Sequence, residues 1–491
     1  MHKFILFLLY LKLFGPDCTF AQITFNTTYD NSIDNDFNIL NDSNGFIKVM
    51  VSFNPPYSQY IFQKIDSQGV ISFAHAFGSQ DDFYSIHSIV RTYDNNFAIG
   101  AYYFNVTTNK YFAFIAKLNE LGDTLWTKKY PAPFNAKYYG QYILETTDKG
   151  FLITGQVVDS IDGNIFVLKT DSLGNLEWQN NFGGIKYEAG YSSVQTSDGG
   201  FLTTGWTRSF GFGNNSNRDD IVVKWDSLGN YQWHQTYGTI FNETAIGVVG
   251  LADGNYIIAS GRNDLTQNQP YGKMLKIGAS GNIIWQKFQG VGIDSYNWVR
   301  EMSNTDLVGV CSRRVNNLDD GFVIRTDSAG NEKWRRQYRY GNSHCYFRDV
   351  QETPDGGIIC AGFVFDGASG NQDGWLVKLD STGCLFNGCG EPTGIDAISS
   401  TQYAMSIYPN PIIDEAIVKI EGLPQELLNS NFYITVYDMT GKKVAFPETG
   451  FLITETGIQF KFNRGLLQSG IYLLEITTGI ETIGVTKILL N

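Results

Sequence analysis

Short apolar runs separated by polar, glycine-containing punctuation fill almost the whole chain, with a repeat of alternation near two residues. Residues 192–238 show the unit best. They read SSVQT, a turn at SDGG, FLTTGWT, a polar stretch, DIVVKWD, a turn at SLGN, then YQWHQTYG. Runs of β-formers bounded by Asp-Gly and Ser-x-Gly-Asn are strand and hairpin chemistry. Glycine supplies the positive-φ position such tight turns need. The unit therefore predicts four short strands.

The unit recurs, and self-similarity at a fixed period outranks every other signal. The phrase reads KIDSQG at 64–69, KLNELG at 117–122, KTDSLG at 169–174 and KWDSLG at 224–229, then KIGASG at 276–281, RTDSAG at 325–330 and KLDSTG at 378–383. Its third residues are spaced by 53, 52, 55, 52, 49 and 53. Seven positions later stands an aromatic in six copies: Phe73, Trp126, Trp178, Trp233, Trp285 and Trp334. Four antiparallel strands repeated seven times predict an all-β fold, a seven-bladed β-propeller of four-stranded blades spanning 22–390. The seventh copy lacks its fourth strand, and Asn387 stands where the aromatic belongs. Residues 23–30, ITFNTTYD, repeat the fourth-strand pattern through Phe25 and Tyr29. The N-terminal strand is thus expected to complete the last blade and close the ring, removing a sheet edge. A polar linker, 391–403, then leads to 404–491, which has no Trp and five or six amphipathic strands, expected as a small β-sandwich.

Composition narrows the function classes. Charged residues are 17 % of the 491, below the roughly 25 % of ordinary domains. The net charge of −13 argues against a nucleic-acid partner. Residues 1–21 read as a signal peptide: His2 and Lys3, an apolar run Phe4–Phe14 broken only by Lys12, and a small–x–small site at Thr19-Phe20-Ala21, so that Gln22 begins the mature chain. The run is shorter than the ~20 residues a spanning helix needs. No transmembrane segment is expected once it is removed. Cys384 and Cys389, in GCLFNGCG, are the expected disulfide of an oxidising compartment, with a zinc site as the alternative that lacks a second ligand pair. Cys311, Cys345 and Cys360 lie in or beside apolar runs and are expected as buried thiols.

The tail carries a family resemblance. Tyr408-Pro409-Asn410-Pro411, Val436-Tyr437-Asp438, Gly441-Lys442, Gly470-Ile471-Tyr472 and the terminal Lys487-Ile488-Leu489-Leu490-Asn491 resemble, in order, the type A C-terminal sorting domain read by the type IX secretion system of Bacteroidetes. The resemblance implies a cargo protein whose partner is that machinery, passage across the outer membrane, removal of the tail, and an extracellular or outer-membrane-surface location. The repeats also resemble quinoprotein-type repeats. Their Asp–Gly spacing is shorter than in that family, so no cofactor is expected.

Little in the chain points to catalysis. A basic residue recurs two positions before each turn position: Lys64, Lys117, Lys169, Lys224, Lys276, Arg325 and Lys378. These are expected to snorkel at strand ends near the turn Asp of their own blade. Asp162, Asp219, Asp220, Asp319, Asp320 and Asp373 precede third strands without the alternating Asp loop that calcium favours. Turn and capping roles are expected of them, and no metal. Among the five His, His75, His87, His234 and His344 occupy unrelated positions, and no nucleophile or phosphate motif is present. No catalytic residue is assigned. The long connections, such as 207–219 and 262–270, emerge on one face of a propeller and are the expected binding surface. Trp206, Phe210, Phe212, Arg262, Tyr271 and Arg313 are its expected contacts. The expected function is non-enzymatic binding of a protein or glycan outside the cell. The alternative is an extracellular glycan-active hydrolase or lyase using converging loop carboxylates.

Overall fold

The computed structural model describes residues 24–385 except 30–33, 43–44, 55–56, 78–81, 133–135, 160–161, 213–216, 240, 265–268, 292, 316–317 and 366–371, and residues 404–490 except 409–411, 422, 424, 429–431, 439–442, 445–449, 455–456 and 479–481. Two units separate by their contacts, residues 1–389 and 390–491. The proposed signal peptide lies outside the described residues.

The first unit consists of seven four-stranded antiparallel sheets. Blade four is Glu188–Gln195, Phe201–Thr207, Asp219–Trp225 and Tyr231–Thr236. Every residue of its two middle strands is buried, whereas its fourth strand is largely exposed. Middle strands are covered on both faces by neighbouring blades, which is why they read as continuous apolar runs rather than clean alternation. Blade seven is His344–Glu352, Ile358–Phe365 and Gln372–Leu379, and its outer strand is Phe25–Tyr29 from the start of the chain. The register explains the pattern match. Trp126 faces Lys117, Trp178 faces Lys169 and Trp233 faces Lys224 across the outer strand pair, and Phe25 faces Lys378 in the same way. Trp375 Nε1 donates to Asn26 Oδ1 at 2.6 Å, and Tyr29 OH donates to the Gly69 carbonyl of blade one at 2.7 Å.

The repeated aromatic and glycine meet between blades. A Cβ placed on Gly229, the turn glycine of blade four, would lie 2.5 Å from the Trp178 ring of blade three. Trp126 on Gly174, Trp233 on Gly281, Trp285 on Gly330 and Trp334 on Gly383 repeat the contact. Where the outer strand carries Tyr four residues after the aromatic, its hydroxyl donates to the same glycine's carbonyl. Tyr130 reaches Gly174 at 2.7 Å, Tyr237 reaches Gly281 at 2.7 Å and Tyr338 reaches Gly383 at 2.5 Å. Blade three has Phe182 at that position, and Asn180 Nδ2 donates to Gly229 instead, at 2.8 Å.

The recurrent basic residues are structural, and more deeply so than snorkelling implies. Lys117, Lys169, Lys224, Lys276 and Lys378 are buried. Each ammonium pairs with the Asp of its own blade's first turn: Asp94, Asp148, Asp198, Asp253 and Asp355, at 2.6 to 3.1 Å. Arg325 does the same with Asp306 at 2.8 Å. Blade six's other cations are also engaged. Lys333 meets Asp306, Arg335 meets Glu332 and Arg339 meets Asp320.

The second unit packs two four-stranded sheets over one core. Glu415–Glu421 alternates exposed and buried without exception. Among the described residues eight strands are present rather than five or six, because Lys443–Val444 and Phe451–Ile453 are too short to leave a periodic trace. The terminal strand Thr482–Leu490 pairs with Gly470–Thr477, placing Lys487 opposite Leu473. Tyr408 is exposed, and Tyr472 is half-buried with its hydroxyl on the Gln468 carbonyl. Pro409, Asn410, Pro411, Gly441 and Lys442 lie outside the described residues. No described helix is long and apolar enough to cross a membrane.

Candidate functional site

The first strand of each blade is the innermost, and neighbouring first strands contact one another around a central channel. Six of these strands slip register at the same place, each leaving one residue unpaired there: His87, Gln141, Tyr191, Ile246, Asn297 and Arg348; blade six slips a second time between Ile293 and Tyr296, and blade one between Asn35 and Asn38. A β-bulge bends its strand and re-aims a side chain. All six unpaired residues line a single cavity of about 820 Å³. That volume lies within the roughly 300–1,000 Å³ usual for small-molecule sites.

The residues that follow the bulges decide how the channel is filled. In blades three and six they are Tyr142 and Trp298, whose rings stack at 5.7 Å and 28°. The equivalent positions hold Ser88, Ser192 and Gly247 in blades two, four and five, which leave room for the stack, and Asp349 in blade seven. A Cβ on Gly247 would sit 3.0 Å from the Trp298 ring. The Arg300 guanidinium lies 5.2 Å from the Trp298 ring and 3.7 Å from Asp349. Asp349 also accepts from Val350 N–H at 2.8 Å, and burial raises its carboxyl. Asn297 Nδ2 donates to the Phe347 carbonyl at 2.5 Å, tying blade six to blade seven.

The cavity occupies the half of the channel between the bulges and the first turns. There the last residue of an inner strand caps the turn of the preceding blade. Glu301 accepts from Ala252 N–H at 2.7 Å, and Glu352 from Ser303 N–H at 2.6 Å and Ser303 Oγ at 2.8 Å. Arg91 reaches Asp42 at 2.7 Å. These wall carboxylates are already committed to protein donors. Arg348 is exposed and has no carboxylate within ion-pair distance among the described residues; its guanidinium lies 5.3 Å from the Phe363 ring.

The long-connection residues form a different surface. Trp206 is buried, with Arg218 4.7 Å from its ring and its Nε1 3.4 Å from Tyr191 OH, which links it to the cavity wall. Phe210 packs on Phe182 and His234 at 5.0 and 4.8 Å. Phe212 is exposed, and its N–H donates to Asp219. Arg262 and Tyr271 face each other on paired strands of blade five, as Arg313 faces Asp320 in blade six. The Arg262 side chain lies outside the described residues, and Tyr271 and Arg313 are half-buried. None of the five whose side chains are described lines the cavity.

Beneath Phe212 the structure does bring carboxylates together. Asp219, Asp220 and Glu243 are buried between blades four and five. Lys273 pairs with Asp220 at 2.8 Å, and Ser260 Oγ donates to the same carboxylate. Glu243 accepts from Thr239 Oγ at 2.6 Å. Burial pushes Glu243 up to about 7 and raises Asp219 and Asp220 as well. Farther round, His344 Nδ1 and Tyr346 OH meet Asp319 at 2.8 and 2.5 Å. Among the described residues no group of three or more His, Cys, Asp or Glu side chains is arranged to hold a metal ion. Cys311, Cys345 and Cys360 are buried thiols, and burial pushes the Cys345 thiol up to about 11. Cys384 is buried, whereas Cys389 lies outside the described residues.

The sequence reading passed over the bulge residues, although they leave a trace. Each lies five positions before the start of the first turn: His87 before Thr92, Gln141 before Thr146, Tyr191 before Thr196, Ile246 before Leu251, Asn297 before Met302 and Arg348 before Thr353.

Comparison with known proteins bears on the two units differently. Residues 406–491 match the family described as the secretion system C-terminal sorting domain. No curated protein matches the chain. Among solved structures, the polysaccharide lyase Uly1 is similar at 10 % identity and TM-score 0.45, over 70 % of this chain and 89 % of that one. An ulvan lyase bound to -[GlcA(1-4)Rha3S]- is similar at 8 % identity and TM-score 0.47, over 74 % and 98 %. The β-propeller domain of the Trilobed protease from Pyrococcus furiosus is similar at 9 % identity and TM-score 0.41, over 76 % and 99 %. At these values the likeness carries nothing about chemistry.

Proposed function

We propose, for a chain whose C-terminal unit is a type IX secretion sorting domain and whose destination is the extracellular medium or the cell surface, that the propeller is a non-enzymatic module that binds a protein or glycan in its central cavity. One observation carries this reading: six bulges in six blades aim chemically different side chains into one space. A packed propeller axis has no need of six unpaired residues, and bulges concentrate where a side chain must be re-aimed. The commitment of Glu301, Glu352 and Asp349 to protein donors supports binding over proton transfer. In the same reading the secretion machinery recognises the tail through Tyr408, Pro409, Asn410, Pro411, Gly441, Lys442, Gly470, Ile471, Tyr472 and Lys487. Cys384 pairs with Cys389. Phe212 and its neighbours on the long connections extend the contact surface.

A second reading, a glycan-active hydrolase or lyase, is favoured by one observation. Glu243 is held near pH 7 beside a second raised carboxyl, Asp219, and a general acid works best when poised near the working pH. Incubating the full chain with soluble polysaccharides separates the two. The binding reading expects saturable retention with no new reducing ends or unsaturated products. Product that Glu243→Gln abolishes would replace it.

A further inference from the structure

We propose that the central cavity takes an anionic saccharide end, one that presents a carboxylate or sulfate to donors on blades six and seven; this rests on the cavity being the binding site. Two donors of the wall there are left unmatched. Trp298 Nε1 and Arg300 Nε are buried and have no hydrogen-bond acceptor among the described residues. Buried N–H groups are normally paired, so two orphaned donors side by side on one strand call for an acceptor. Arg348 adds a guanidinium with no carboxylate partner among the described residues. These three groups share one sector, because Asn297 is hydrogen-bonded to the Phe347 carbonyl and Arg300 sits 3.7 Å from Asp349. A planar guanidinium with its fork of donors matches carboxylate and sulfate oxygens in a way an ammonium does not.

The rest of the wall suits a sugar. Ser88, Gln141, Tyr191 and Thr244 carry hydroxyl and amide groups that both donate and accept, as sugar hydroxyls do. The Tyr142–Trp298 stack holds the indole N–H in a fixed direction. The volume of about 820 Å³ confines the site to a chain end or a short oligosaccharide. The same sector carries Glu301, Asp349 and Glu352, each already held by a protein donor, on a chain of net charge −13, so selectivity is expected to be local.

Calorimetric titration of the full chain tests the inference. The probes are a uronic-acid trisaccharide, its carboxyl-reduced neutral counterpart, a sulfated trisaccharide and an acidic peptide. The expected result is binding of the uronide or the sulfated sugar at least tenfold tighter than the neutral one. Which of the two binds tells carboxylate from sulfate. Arg348→Gln is expected to weaken that binding at least tenfold and to remove most of its salt dependence. Trp298→Phe keeps an aromatic ring in the stack, removes the N–H, and is expected to weaken binding severalfold at unchanged thermal midpoint. Equal affinity for the neutral sugar, acid binding unmoved by Arg348→Gln, preference for the acidic peptide, or no binding of any anionic probe would each overturn it. Ile246→Trp fills the cavity and separates the two levels of the argument. Neutral-sugar or protein binding that this variant abolishes would preserve the cavity as the site while ending the anionic assignment. Ligand binding that survives it would end both.

Discussion

Gly229 and Gly254 carry the same backbone strain in different surroundings. Both have φ near +80°, but a Cβ at 229 would strike the Trp178 ring at 2.5 Å, whereas one at 254 meets nothing within 4 Å. Gly254→Ala therefore tests conformation alone and is expected to cost about 1–2 kcal/mol. Gly229→Ala must also displace an indole, so its urea midpoint should fall clearly below that of Gly254→Ala. Equal losses would show that the Trp-on-glycine contact contributes nothing. Glu243 is a second residue whose surroundings set its behaviour. Burial raises its native carboxyl to about 7, above the ordinary 4.5, while Lys273 partly opposes the shift. An acid that holds its proton longer in the folded state contributes stability below its unfolded pKa and loses it as pH rises toward the folded value. The propeller should thus lose stability between about pH 4.5 and 7, and Asp219 and Asp220 act in the same direction. Urea titrations at pH 5 and pH 7.5 should show a smaller difference in Glu243→Gln than in the wild-type chain.

Six of the seven outer strands fasten their blade to the next through an aromatic side chain on a turn glycine, blade one using Phe62 of a middle strand on Gly122 instead, and in four blades a Tyr hydroxyl donates to that glycine's carbonyl. The Phe25–Tyr29 strand does this between blades seven and one, although some 350 residues of chain separate it from its pairing partner. Removing one hydroxyl costs about 1 kcal/mol where the acceptor is left buried, so Tyr29→Phe and Tyr237→Phe should lower the thermal midpoint by similar small amounts. Deleting residues 22–29 is a different perturbation. It uncovers the edge of Gln372–Leu379, and exposed edges recruit other strands. Size-exclusion chromatography of the deletion is expected to show oligomers, and a monomer of unchanged stability would show that this strand is dispensable. The element pattern was legible in the chain because turn chemistry and aromatic spacing are local. Phe25 and Tyr29 could be matched to Trp126 and Tyr130 by eye. The inner-strand bulges were not, because a single unpaired residue shifts an alternation that is already blurred in strands covered on both faces.

For the whole molecule, the two units answer different questions. The tail decides where the protein goes, and the propeller carries the proposed binding cavity. Deleting residues 404–491 is expected to leave the chain in the periplasm. Mass spectrometry of the native secreted protein should find peptides beginning near Gln22 and none from the tail. Intact tail peptides in the extracellular fraction would contradict its removal.

The propeller's strand number and order, the orphan seventh blade and the sorting tail all follow from the sequence by itself. Each depends on residues close together in the chain or on a pattern repeated seven times. The pairing of the repeated lysines with turn aspartates was nearly legible, since both partners belong to one blade. The tertiary structure alone decided what occupies the axis. Tyr142 meets Trp298 only because blades three and six face each other across a channel where blades two, four and five place Ser88, Ser192 and Gly247. The donors of Trp298 and Arg300 that lack an acceptor among the described residues, the placement of Arg348 and the buried carboxyl of Glu243 arise in the same way. Burial and hydrogen-bond partners at those sites are supplied by other blades, and no local pattern in the chain records which side chains a ring of seven will bring face to face.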